Sequence, residues 1–123
     1  MQDNVVMEKA LRFAVRIVRL YQYLSRTMNE YVMSKQLLRS GTSIGANVSE
    51  ANEAFSKSDF IYKMSTALKE CSETRYWIEL LRRTDYLTEQ QFASMMADCM
   101  ELQKILTIII KTARQNIRNG GSD

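Results

Sequence analysis

The 123-residue sequence contains no proline and no histidine, and of its four glycines only Gly41 and Gly45 precede position 120. All-β and α/β chains turn often, and Gly and Pro are the residues that make most turns, so their scarcity excludes those classes. Without histidine, most hydrolase triads, catalytic zinc sites and Glu-x-x-His di-metal bundles cannot be assembled. Cysteine is equally sparse: Cys71 and Cys99 stand alone, outside any C-x-x-C pattern. A disulfide framework or structural zinc is therefore not expected, and both read as small buried hydrophobes. Apolar runs such as Ile108–Ile110 are far too short to span a bilayer, and Met1 to Lys9 has neither the basic start nor the apolar stretch of a signal peptide. The expectation is a cytoplasmic protein with no membrane partner, no cofactor and no metal. With 46% hydrophobic and 25% charged residues the chain lies well outside the disordered range, and residues 1–123 read as one domain.

Helical periodicity runs through nearly all of it. Over residues 5–25, Ala10, Phe13, Ile17, Leu20 and Leu24 recur at spacings of three and four. Thr27-Met28-Asn29-Glu30 reads as a capping box opening a second helix over 28–55, with Met33, Leu37, Ile44, Val48, Ala51 and Phe55 on one side. Ser56 and Asp59 repeat the logic for a third helix over 57–83, where Phe60, Met64, Ala67, Cys71 and Ile78 are in register. Thr88 with Gln91 caps a fourth over 88–118, carrying Phe92, Met95, Cys99, Leu102, Leu106, Ile109, Ala113 and Ile117, and Gly120-Gly121 ends it. Four helices joined by connections too short to cross the molecule predict an all-α, antiparallel up-down-up-down four-helix bundle.

The apolar surface is wider than such a core requires. On helix one, an arc from Leu20 and Phe13 through Ile17, Ala10, Ala14, Val18 and Leu11 to Val15 covers more than half the circumference. On helix three, Tyr62, Trp77 and Leu80 fall away from the main stripe. A second buried face is implied, and with it a homo-oligomer packed helix against helix; scattered exposed aromatics on a monomer are the plainer alternative.

Charge is unevenly distributed. Residues 1–49 carry net +4, residues 50–101 net −4, and residues 102–123 net +3. Lys9, Arg12, Arg16 and Arg19 share an arc of about 80° on helix one, and no acidic residue occurs between Lys9 and Asn29. Lys104, Lys111, Arg114 and Arg118 on helix four have no acidic neighbour in sequence until Asp123. In this topology helices one and four are adjacent, so the two stripes are expected to merge into one basic surface suited to a phosphate backbone. The plainer reading is a solvated helix face with cations near a helix C-terminus.

The stretch Arg39 to Ala51 is unusual for its glycines four residues apart. Each costs about 1 kcal/mol relative to alanine inside a helix, and close helix approach is the straightforward compensation. A G-x-x-x-G pattern with no following Gly-Lys-Ser/Thr is a poor phosphate loop. Opposite the apolar side, Gln36, Arg39, Ser43, Asn47 and Glu50 form a polar ladder suited to a neighbouring helix or subunit more than to a ligand.

The runs Gln36-Leu37-Leu38-Arg39-Ser40, Ser43-Ile44-Gly45-Ala46-Asn47-Val48-Ser49-Glu50-Ala51, Asp59-Phe60, Ala67-Leu68-Lys69-Glu70 and Glu73-Thr74-Arg75-Tyr76-Trp77 resemble the bacterial family of 23S rRNA-intervening sequence proteins, which includes the accessory variability proteins of diversity-generating retroelements. The likeness spans nearly the whole chain. Ala51 stands where the family usually has glycine, and Met28-Asn29 occupy a turn where the family commonly has proline. The resemblance implies a homopentameric barrel of four-helix bundles, a motif or interface role for Arg39, Ser43, Gly45, Asn47, Glu50, Glu73 and Trp77, and RNA, DNA or a reverse transcriptase as partners. It implies no catalysis, and being encoded in a ribosomal RNA gene is not the same as binding a ribosome.

Three functions follow as candidates. The first is a non-enzymatic oligomeric adaptor that binds RNA or DNA through Lys9, Arg12, Arg16, Arg19, Lys104, Lys111, Arg114 and Arg118. A protein-interaction scaffold without nucleic-acid binding is the second. The third, an enzyme using Glu70, Glu73 and Arg75, has no nucleophile or second base to support it.

Overall fold

The computed structural model describes residues 2–120. Its four helices are α1 (Gln2–Arg26), α2 (Met33–Ala51), α3 (Lys57–Arg83) and α4 (Glu89–Arg118), with no strand among the described residues. They pack as a bundle around one core in which Phe13, Ile17, Leu37, Ile44, Met64, Ile78, Leu102 and Leu106 are fully or almost fully buried. The stripes of spacing three and four thus converge as expected, since that spacing puts side chains on one helix face.

Two of the three expected caps form. The Ser56 hydroxyl accepts the Asp59 amide at 3.0 Å, and Thr88 and Gln91 make a reciprocal capping box at the start of α4. The third does not. In place of a helix opening at residue 28, the backbone turns through a left-handed Asn29, φ 56°, a conformation that asparagine tolerates better than most residues. The Glu30 carboxylate then accepts the amides of Val32, Met33 and Ser34 at 3.2, 3.1 and 2.7 Å. Glu30 belongs to the cap, as expected, but it caps a helix that begins at Met33 and Thr27 has no part in it. At the other end α2 stops at Ala51, four residues short of expectation, and Phe55 is fully exposed in the connection to α3 instead of lining the core. Gly120, φ 92°, follows the end of α4 as anticipated, while Gly121 lies outside the described residues.

The two internal glycines sit where α2 meets α1. A Cβ on Gly41 would lie 2.7 Å from Ile17 Cγ1, and one on Gly45 would lie 3.6 Å from Ala10 Cβ. Close approach is therefore the reason for glycine at 41. Nearby, the buried Ser40 and Thr74 hydroxyls meet at 2.9 Å and tie α2 to α3.

The wide apolar arc of α1 is only half used within one chain. Leu11 and Val15, which lie opposite the core-facing stripe, are each about half exposed, as is Tyr62 on α3. Trp77 instead packs partly against the core, its indole N–H donating to Glu73 at 3.1 Å.

Candidate nucleic-acid interface

The two basic stripes have different fates. On α1, Lys9 pairs with Glu101 at 3.3 Å, and Arg16 binds Asp98 at 2.5 Å and the Ser94 hydroxyl at 2.8 Å. Arg12 pairs with Glu8 at 3.1 Å, one turn earlier on its own helix. Arg19 reaches only Gln22 and makes no ion pair among the described residues. The absence of acids along this stretch of sequence does not leave α1 unneutralised, because α4 brings two of them across the seam. Asp98 and Glu101, three apart on one face of α4, are the signal that reading each helix separately overlooks.

On α4, Lys104, Lys111, Arg114 and Arg118 make no ion pair with any described residue, and all four are exposed. With successive residues about 100° apart, they lie roughly 60° to 160° around the helix from Asp98 and Glu101, Lys104 being nearest to Glu101. The acidic edge of α4 faces α1, so Asp98 and Glu101 stand between the α1 stripe and the basic edge of α4, on which Lys111, Arg114 and Arg118 lie toward α3.

Lys111, Arg114 and Arg118 instead rim a groove of about 280 Å³ between α3 and α4, lined also by Leu68, Thr107 and Ile110. Leu68 is half-buried and Ile110 buried, which gives the groove an apolar floor beneath a cationic rim. Farther along the same seam, Arg75 donates to the Gln103 side-chain carbonyl at 2.8 Å. Its Nε is buried with no acceptor, and no carboxylate pairs with it among the described residues. Neither Arg75 nor the groove floor was singled out by the charge pattern, because whether α3 and α4 leave a gap is a matter of packing.

The polar ladder of α2 is turned toward α3 or satisfied locally. Arg39 bonds both Glu70 and Glu73, Glu50 takes a 2.8 Å bond from Lys63, and Ser43 and Asn47 each donate to the carbonyl four residues earlier. The Arg39 guanidinium, helped by the Trp77 indole, holds the Glu73 carboxyl below the ordinary carboxylate range. The residues of the enzymatic reading are separated by this arrangement: Glu70 and Glu73 face Arg39 of α2, whereas Arg75 faces Gln103 of α4.

Cys71 and Cys99 are buried free thiols, with Cys99 Sγ donating to the Cys71 carbonyl at 3.6 Å. The neighbouring Cys99 and burial together push the Cys71 thiol upward, away from the thiolate form that reactivity requires. No helix among the described residues is long and apolar enough to cross a membrane.

Residues 2–108 match the family model of the 23S rRNA-intervening sequence protein. A solved structure from Bacteroides thetaiotaomicron, described as a protein with unknown function from the S23 ribosomal protein family, is 58% identical. It covers 90% of this chain and 99% of its own, with a TM-score of 0.89. No curated protein matches the sequence. Lys111, Arg114 and Arg118 lie beyond the residues that the family model matches.

Proposed function

The chain belongs to the 23S rRNA-intervening sequence protein family, and from that premise we propose that it is a non-enzymatic, self-assembling helical bundle that binds RNA or DNA electrostatically. The observation that carries this reading is the contrast between the two stripes. Most of the α1 cations are engaged by Glu8, Asp98 and Glu101, while Lys104, Lys111, Arg114 and Arg118 have no acidic partner among the described residues. Unpaired Arg and Lys on one helix edge suit phosphates, which Arg binds bidentately with release of condensed counterions. Arg19 extends the contact on the α1 side, and Lys9, Arg12 and Arg16 join it only where phosphate displaces their carboxylates.

The bundle is read as antiparallel up-down-up-down. Cross-helix pairs run in opposite numerical directions at every step: Ile17 with Gly41 and Ala10 with Gly45, Arg39 with Glu70 and Glu50 with Lys63, Arg75 with Gln103 and Arg82 with Glu89. Self-assembly is supported by the half-exposed Leu11 and Val15 opposite the core stripe of α1, together with Met100 and Ile108 on α4. Five subunits are the number implied by the family resemblance, and light scattering measures it directly.

Fluorescence anisotropy with labelled structured RNA and duplex DNA at two salt concentrations tests the binding. Affinity that falls steeply with salt, and is lost on Arg114→Glu with Arg118→Glu, is the expected result. No binding at low salt would overturn it and leave the protein-interaction scaffold, for which the net −4 of residues 50–101 is the supporting feature.

A further inference from the structure

The α3–α4 groove combines two properties that a surface serving duplex phosphates alone does not need. Its rim is cationic, through Lys111, Arg114 and Arg118, and its floor is apolar, through Leu68 and Ile110. A duplex turns its phosphates outward and keeps its base faces stacked inside, so it can use the rim but has nothing apolar to offer the floor. A single strand, loop or bulge has unstacked bases that can be splayed outward and laid against apolar or aromatic side chains.

We propose that this groove takes one unpaired nucleotide of a single-stranded RNA or DNA segment, with the base against Leu68 and Ile110 and the flanking phosphates on Lys111, Arg114 and Arg118. The proposal rests on the nucleic-acid reading above and names its substrate class. Arg114 and Arg118 are four residues apart, a rise of about 6 Å along α4, which lets the two guanidinium groups engage successive phosphates of an extended strand. At about 280 Å³ the groove has room for a base. Arg75 supports the direction in which the strand continues. It lies seven residues along α3 from Leu68, roughly 10 Å by helical rise, with no carboxylate partner and an orphaned Nε. A guanidinium left with one neutral acceptor gains more from a phosphate than any already paired cation of the bundle.

The test compares three fluorescein-labelled probes of one length on the full chain: a mixed-sequence single strand, its duplex, and the same strand made of abasic sites. The base–floor contact predicts that the single strand binds about tenfold more tightly than its abasic counterpart, which carries the same phosphates, with closely similar salt slopes for the two. Leu68→Asn should erase that preference, and Arg114→Glu should weaken all three; circular dichroism checks that both variants fold. Equal affinity for the single strand, the abasic strand and the duplex would overturn the unpaired-nucleotide proposal and leave electrostatic binding standing. A single-strand preference that survives Leu68→Asn would also overturn it, by locating the base elsewhere. Absence of binding to every probe at low salt would remove both readings together.

Discussion

The Ile17 side chain occupies the space that a Cβ on Gly41 would need: the added carbon would lie 2.7 to 2.9 Å from three of its atoms. Because isoleucine is branched at Cβ and stiff at χ1, it cannot swing aside without disturbing the α1–α2 contact. Gly41→Ala should therefore destabilise the protein by about 1 kcal/mol net, overpacking outweighing the gain in helix propensity. Gly45→Ala meets only ordinary contacts with Ala10 at 3.6 Å and should gain about 0.5–1 kcal/mol. Urea unfolding of the two variants decides it, and the same sign for both would contradict the packing argument.

Glu30 accepts three backbone amides at the start of α2, where Ser56 accepts one at the start of α3. Glu30→Ala should cost about 1–2 kcal/mol and Ser56→Ala about 1 kcal/mol or less. If the order of their thermal midpoints were reversed, Glu30 would not be the cap that starts α2.

The depressed titration of Glu73 gives stability a definite pH dependence. Arg39 stabilises the ionised carboxyl, so its folded-state pKa lies below the unfolded value. The contribution is complete above about pH 4.3 and is lost as pH falls through the folded-state value. With side chains 48% and 38% exposed, the pair is worth at most about 1 kcal/mol after solvent screening. Thermal midpoints from neutral pH down to the acid range should show Glu73→Gln lowering stability at neutral pH and converging with the parent protein at low pH. A constant gap across that range would rule out ionisation of Glu73 as the source.

Removing the acids that hold the α1 stripe should strengthen nucleic-acid binding. The double variant Asp98→Asn with Glu101→Gln frees Arg16 and Lys9. Two additional phosphate contacts would steepen the dependence of log affinity on log salt by up to about 2. Thermal stability should change by about 1 kcal/mol or less. An unchanged salt slope in the anisotropy titration would mean that the nucleic acid never reaches α1.

The number of helices, their inward faces and the caps at Ser56 and Thr88 were legible in the sequence because each depends on residues within one or two turns of each other. Boundaries were less legible where two local signals competed. At the start of α2, Thr27 and Glu30 have the spacing of a capping box, but the left-handed Asn29 directs the Glu30 carboxylate forward onto later amides. Past Ala51 the apolar pattern continues to Phe55 although the helix does not, because a recurring spacing marks a face only while the backbone stays helical.

The site divides along the same line. Which helix faces are basic can be read from the residues alone, since the directions of Lys9, Arg12, Arg16 and Arg19 follow from helical phase. Which of those charges are free depends on how the helices pack. Arg16 meets Asp98 from 82 residues away, and Lys9 meets Glu101 from 92. The groove floor joins Leu68 of α3 to Ile110 of α4 in the same way. Charge is a property of a residue, but its neutralisation, and the apolar surface left open beside it, belong to pairs that only packing brings within reach.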